Sequence, residues 1–375
     1  MIKKRKLGKT DLLVSEIGLG CYQLGGYSKI NEISVGFGEM DEKTAVGIIN
    51  AALEFGINTF DTADFYSLGK SEVRLGKALK DCRNEINFFT KAGSVASYTD
   101  SAFEIDLSYH HLMASIDRSL KRLETDYIDL FQIHKSPQSE EDFSDIEKAF
   151  TTIKSEGKAR YCGASVANRY QIGIELMKRG LVDTLQLYFS LIDPAPLSEL
   201  FSVAKHEGVG IIIAEPLAQG MLAGKYKPGH VFPDSDIRRH SYDNDLLQKK
   251  LEKSQEFQFL VNEDRTASQA ALSYILSRDE VSICIPGAKS VEQLKSNVLA
   301  SEIELSEEEL EKIKNIQQSK DLSHYRWSLD YENDMYLIRE IIKRISSRPI
   351  LMDDIIQLLE DNYELYRINK TKVES

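Results

Sequence analysis

Eight short apolar runs recur between residues 15 and 301, each followed by an amphipathic stretch. The runs are SEIGLGC, INTFDTA, INFFTKAG, YIDLFQIH, ARYCGAS, DTLQLYFS, VGIIIAEP and VSICIPG. Their near-continuous apolar character is that of strands covered on both faces, as in parallel sheets. The stretches between them repeat at helical spacing. EKTAVGIINAALEFG places Val46, Ile49, Ala52 and Leu53 on one face. SEVRLGKALK opens on Ser71, which reads as an N-cap. SYHHLMASIDRSLKRL, EDFSDIEKAFTTIKSEG, NRYQIGIELMKRG, PLSELFSVAKHEG, TASQAALSYILSR and VEQLKSNVLA follow the same logic, several closing on Gly. Strand–helix alternation is wound either as an open sheet or as a closed barrel. Eight units match the barrel. GLGCYQ, after the first run, starts like a dinucleotide fingerprint but has Gln23 where the third glycine belongs. The expected class is therefore α/β, a (β/α)8 TIM barrel.

Three additions to the barrel are expected. KRKLGKTDLLVSEIGL reads as an N-terminal hairpin closing the barrel bottom, and residues 217–263 form a long loop after strand 7. LSEEELEKIKNIQQS reads as a helix with Ser306 and Glu309 spaced as a capping box. A helical C-terminal extension follows, so residues 1–318 read as the barrel and 319–375 as a docked tail or interface element. In it Met335, Ile338, Ile341, Ile342 and Ile345 share one helical face, and Ile355, Ile356, Leu359 and Tyr363 mark a second helix. The tail also holds HYRW, with the chain's one Trp, which is expected to fold over the barrel mouth if it governs substrate choice.

Composition narrows the function. A net charge of −12 argues against general nucleic-acid binding, which needs clustered Lys and Arg. No stretch reaches the roughly 20 apolar residues of a membrane helix, and the basic start lacks a signal-peptide core. Cys21, Cys82, Cys162 and Cys284 are far apart with no CxxC pair, and a cytoplasmic protein with reduced thiols is expected. His110 and His111 have no companions at ligand spacing, so no metal site is expected.

Four polar groups at strand ends carry chemistry. Asp61 and Tyr66 lie in FGINTFDTADFY, Lys91 in INFFTKAG and His134 in YIDLFQIH. Catalytic residues of such barrels come from strand C-terminal ends. A phenol beside an ammonium becomes a better acid than its ordinary value near 10 allows. A buried Lys91 needs a counter-charge, which Asp61 supplies. His134 can orient a substrate oxygen, so the set suits general acid–base work on an alcohol/carbonyl pair.

GINTFDTADFYSLGKSEVRLGKAL and SIDRSLKRLETDYIDLFQIH resemble the two signatures of the aldo-keto reductases, in particular bacterial members related to potassium-channel beta subunits. The resemblance covers about residues 3–318. It implies Tyr66 as proton donor, with Asp61, Lys91 and His134 completing a tetrad. It also implies a nicotinamide site at Cys21, Asp61, Ser165, Gln186 and Phe189, the last stacking on the ring where Tyr is common. EPLAQGMLAGKY is similar to the family's nucleotide loop, bringing Pro216, Leu217, Gln219, Gly220 and Lys225, with Arg238 closing over it. IPGAKSVEQLKSN resembles the adenosine site, with Gly287, Lys289, Gln293 and Asn297. Lys289 at a helix start would recognise a 2′-phosphate, which favours NADPH over NADH. The resemblance thus implies an NADPH-dependent reductase of aldehydes or ketones, including keto-sugars or secondary metabolites. Its alternative is a cofactor-holding regulatory subunit like the channel beta subunits. The expected partners are a small carbonyl substrate and, through the extension, a second copy of the chain.

Overall fold

The computed structural model describes residues 2–30, 33–35, 38–96, 103–194, 197–227, 229–232, 236, 238–241, 244–317, 332–345, 355, 358 and 359. Its strands are β1 Lys4–Lys6, β2 Leu13–Ser15, β3 Leu19–Gly20, β4 Ser28–Ile30, β5 Ile33–Val35, β6 Thr59–Asp61, β7 Asn87–Ala92, β8 Ser94–Ala96, β9 Phe103–Ile105, β10 Ile128–Ile133, β11 Ala159–Ala167, β12 Thr184–Tyr188, β13 Gly210–Ala214 and β14 Val281–Cys284. Its α-helices are α1 Glu42–Glu54, α2 Lys70–Leu79, α3 Tyr109–Leu123, α4 Glu140–Ser155, α5 Tyr170–Lys178, α6 Leu197–Glu207, α7 Arg238–Ser241, α8 Asn244–Gln255, α9 Ala267–Leu276, α10 Val291–Leu299, α11 Glu307–Gln317 and α12 Glu332–Arg344. Each of the eight apolar runs contains a strand, and each amphipathic stretch a helix.

The main sheet has eight strands in the order β14-β13-β12-β11-β10-β7-β6-β3, all neighbours parallel. Its two edges meet. Gly18 N–H donates to Cys284 O (2.8 Å), Gly20 N–H to Pro286 O (3.1 Å) and Cys284 N–H to Glu16 O (3.0 Å). Ile17 bridges Cys284 and Gly20 bridges Gly287. The sheet is therefore a closed ring, and no barrel strand is left with an unpaired edge.

Polar side chains start the helices where the sequence offers them. Ser139 with Asp142 and Thr266 with Gln269 form capping boxes on α4 and α9. The Ser306–Glu309 box on α11 forms as expected, with both reciprocal hydrogen bonds. Ser71 is a correction. Helix α2 starts at Lys70 after Gly69, whose φ of 88° no capping side chain serves. The Ser71 hydroxyl instead donates to Cys21 O (2.9 Å) and accepts from Thr62 Oγ1 (2.9 Å), tying α2 to the loops after β3 and β6.

The N-terminal hairpin pairs β1 with β2 antiparallel. Leu7, Leu12 and Val14 from this hairpin pack with Phe89, Leu130, Ile212 and Ile283 from the barrel strands. Such burial contributes about 2 kcal/mol per side chain. Hairpin and barrel interior are one core, and the bottom of the ring is filled. Two further antiparallel hairpins decorate the barrel, β4 with β5 and β8 with β9. The long segment after β13 holds α7 and α8.

The chain divides into two compact units, Met1–Ile313 and Lys314–Ser375. In the second, α12 buries Leu337, Ile341 and Ile345. Ile342, expected on the same face, is 50% exposed, because its position lies about 100° round the helix from Ile341. HYRW, Ile356 and Tyr363 lie outside the described residues.

Candidate active site

The four strand-end groups converge at the C-terminal end of β6, β7 and β10. Parallel register pairs Asp61 with Phe89 and Gln132 with Lys91, so the side chains of neighbouring strands reach the same level. The Lys91 ammonium is fully buried and donates to Asp61 Oδ1 (2.5 Å), Thr62 O (2.8 Å) and Tyr66 Oη (3.4 Å). Asp61 Oδ2 accepts from Gln186 Nε2 (2.9 Å) and Gln132 Nε2 (3.5 Å). A buried ion pair holds only when its remaining lone pairs and protons are satisfied, and here they are. The Tyr66 ring stands edge-on to His134, with centroids 5.6 Å apart, and to Tyr22 at 4.9 Å. His134 Nδ1 is buried and has no hydrogen-bond partner among the described residues.

Protonation follows from burial. Burial first, and the Asp61 carboxylate second, push the Tyr66 phenol well above its ordinary value. The expected net acidification is corrected: in the free site burial and Asp61 outweigh the ammonium of Lys91. The ammonium is spent on Asp61, and desolvation decides the free site. The phenol therefore holds its proton at neutral pH. Burial, then the charges of Lys91 and Lys135, push His134 well below the usual imidazole range, so the ring is neutral. Burial also raises the Asp61 carboxyl, opposed by Lys91, Gln186 and Gln132.

These groups open onto a cavity of about 380 Å³. Cys21, Asp61, Tyr66, His134, Ser165, Gln186, Pro216, Leu217, Gln219, Gly220, Lys225, Arg238, Gly287, Lys289 and Gln293 all line it. Three expected residues do not. Lys91 lies behind Asp61 and Tyr66. Phe189 is buried against Tyr274, with centroids 5.6 Å apart, and its neighbour Tyr188 lines the cavity in its place. Tyr188 shares the face of Gln186 because strand side chains alternate. Asn297 is buried and donates to Gly287 O (3.4 Å), supporting the loop from below.

The loop after β13 has a strained backbone. Glu215 (φ 51°), Ala218 (φ 46°), Gln219 (φ 55°) and Gly220 (φ 94°) are left-handed within six residues. Each such non-Gly residue costs about 1–3 kcal/mol and persists only where its surroundings enforce it. Gln219 Nε2 donates to Glu215 (2.9 Å), and Arg238 Nη1 donates to Gln219 O (2.8 Å). Arg238 is also held by Asp236 through Nε (2.9 Å) and Nη2 (2.6 Å), and lies 4.1 Å from the Phe232 ring centre.

A model of the aldo/keto reductase family matches residues 16–318. The chain belongs to the aldo-keto reductase family. It is an oxidoreductase. Among similar proteins, an uncharacterized oxidoreductase YqkF of Bacillus subtilis is 31% identical over 84% of this chain and 96% of its own. An NADH-specific methylglyoxal reductase of Escherichia coli is 30% identical over 82% of this chain and 95% of its own. The holo form of the aldo-keto reductase AKR11C1 from Bacillus halodurans superposes with a TM-score of 0.70, at 31% identity over 85% of this chain and 98% of that one. For this aldo-keto reductase, sequence reasoning missed Tyr22, Gln23, Phe65, Lys135, Tyr188 and Glu215 at the cavity. Tyr188 was detectable from the period-2 alternation through Gln186. Gln23 fills the space beside Gly287, where a Cβ would meet Gln23 Nε2 at 1.9 Å, a contact with no sequence signal.

Proposed function

We propose that this protein is an NADPH-dependent reductase that converts an aldehyde or ketone into an alcohol, with Tyr66 as the proton donor. The observation that carries the reading is the buried Asp61–Lys91–Tyr66 chain, which ends beside a neutral imidazole in an open cavity. A bound nicotinamide supplies the hydride, which no side chain can. The chain's own residues do the rest. His134, neutral and partly unpartnered, holds the carbonyl oxygen against Tyr66 Oη. Tyr66 keeps its proton until that oxygen accepts it, and Lys91 Nζ, 3.4 Å away, then stabilises the phenolate. Asp61, clamped by Gln186 and Gln132, keeps Lys91 in place.

The cavity residues fit a dinucleotide. Gly220 and Gly287 bring bare backbone to its wall. Lys225, Arg238 and Lys289 lie close enough for their charges to act on one another, beside the Asp236 carboxylate. Burial, then the Arg238 charge, push Lys289 down, and an added phosphate relieves that repulsion. This clustering of cations at the cavity supports NADPH rather than NADH. Four free thiols suit the reducing cytoplasm.

The test is NADPH and NADH oxidation against a carbonyl panel that includes methylglyoxal, keto-sugars and pyridoxal. Turnover with NADPH preferred is expected. Tyr66→Phe should lower kcat by about 10²–10⁴ while NADPH still binds. An unchanged kcat removes Tyr66 as the acid. Tight NADPH retention without turnover on any carbonyl would support the regulatory-subunit reading instead.

A further inference from the structure

The cations of the cavity fall into two separate groups. Lys225, Arg238 and Lys289 follow β13 and β14. Lys135 follows β10, directly after His134, and also lines the cavity. In the closed ring β10 and β14 are four strands apart in either direction, so they stand on opposite sides of the mouth. One phosphate group cannot serve both.

Lys135 is half-buried, and Ser136 and Pro137 after it are buried. Among the described residues its ammonium has no carboxylate and no hydrogen-bond partner. The charge that acts on it is another cation, Arg169, which precedes α5, and burial together with Arg169 pushes Lys135 down. Arg169 is exposed, and its side chain makes no cap or ion pair among the described residues. Among the described residues, the two carboxylates on the cavity wall are engaged elsewhere. Asp61 is held by Lys91, Gln186 and Gln132, and Glu215 accepts from Gln219. A half-buried ammonium with no counter-ion is costly, and its repulsion from a second cation adds to that cost. A ligand anion removes both.

We propose that Lys135 and Arg169 form the anion end of the substrate site, so that the physiological substrate is an aldehyde or ketone carrying a carboxylate or a phosphate. The His134 side chain engages the carbonyl, and the adjacent Lys135 takes the charged group. The two are consecutive residues, so carbonyl and anion are separated by only a few bonds. The rim beside them is aromatic, from Tyr22, Phe65 and Tyr188, which suits a short carbon skeleton. This inference rests on the carbonyl-reductase reading above.

Matched pairs of substrates test it: butanal against succinic semialdehyde, and glyceraldehyde against glyceraldehyde 3-phosphate. The wild-type protein should prefer the charged member of at least one pair by tenfold or more in kcat/KM, chiefly through KM, and that pair identifies carboxylate or phosphate. Added NaCl should shrink the preference. Lys135→Met should cut the charged-to-neutral ratio about tenfold, Lys135→Arg should restore it, and the exposed Arg169→Gln should cut it about threefold. If Lys135→Met does not fold, the Arg169→Gln ratio decides. A wild-type ratio near one, or a ratio unmoved by Arg169→Gln and by a folded Lys135→Met, overturns the anion site. Absence of turnover on all four carbonyls would instead remove the reductase reading.

Discussion

At the scale of single residues, burial governs this site more than pairwise charge. Tyr66 is 3.4 Å from an ammonium yet holds its proton tightly, and His134 is neutral beside two cations. Asp64 obeys the same rule outside the cavity. Its Oδ1 is buried without a partner among the described residues, while its N–H donates to Lys91 O (3.0 Å). Burial, then Glu72, raise its carboxyl to about 7. The folded chain thus holds a proton that the unfolded chain releases near the usual value of about 3.9. Stability from this group is full at low pH and is lost as pH rises from about 4 through 7. Asp64→Asn is neutral at every pH. It should exceed the parent by about 1–2 kcal/mol in urea unfolding at pH 8 and lose most of that gain near pH 4. An equal difference at both pH values would mean that the folded carboxyl is ionised. The residues that meet at the cavity were only partly legible in the sequence. Asp61, Tyr66, Lys91 and His134 follow apolar runs at strand ends, and position betrays them. Lys135 is one lysine among many, and only the fold shows that it lines the cavity with no carboxylate partner among the described residues.

Among the elements, the eight strands and eight helices were visible because burial on both faces and helical periodicity leave distinct patterns in a chain. What escaped was decided by local backbone. Gly69 starts α2 in a conformation that needs no cap, which frees Ser71 for other bonds. Phe189 lies one residue past the end of β12, where it turns inward to Tyr274. The hairpins β4/β5 and β8/β9 are three-residue strands, too short for periodicity to register. The β1/β2 hairpin was legible, and its role is energetic. Leu7 is fully buried, and a Cβ on Gly210 would meet Leu7 Cδ1 at 2.7 Å, so the fit is tight. Leu7→Ala should destabilise the protein by about 2–5 kcal/mol in urea denaturation. KM should not move, because the hairpin lies at the opposite end from Tyr66. A loss below 1 kcal/mol would show that the hairpin is not part of the core.

For the whole molecule, we propose that the barrel carries the chemistry and residues 319–375 form a separate extension. The compact unit Met1–Ile313 holds every described residue that lines the cavity. A chain ending at residue 320 should still unfold in one cooperative transition and bind NADPH, as measured by calorimetry. Failure of either would make the extension part of the barrel's fold. Unchanged selectivity over the carbonyl panel would remove HYRW from substrate choice. The filled bottom of the ring has one more result. Among the described residues the base is stoppered by Leu7, Leu12 and Val14, so Tyr66 faces outward only at the strands' C-terminal ends.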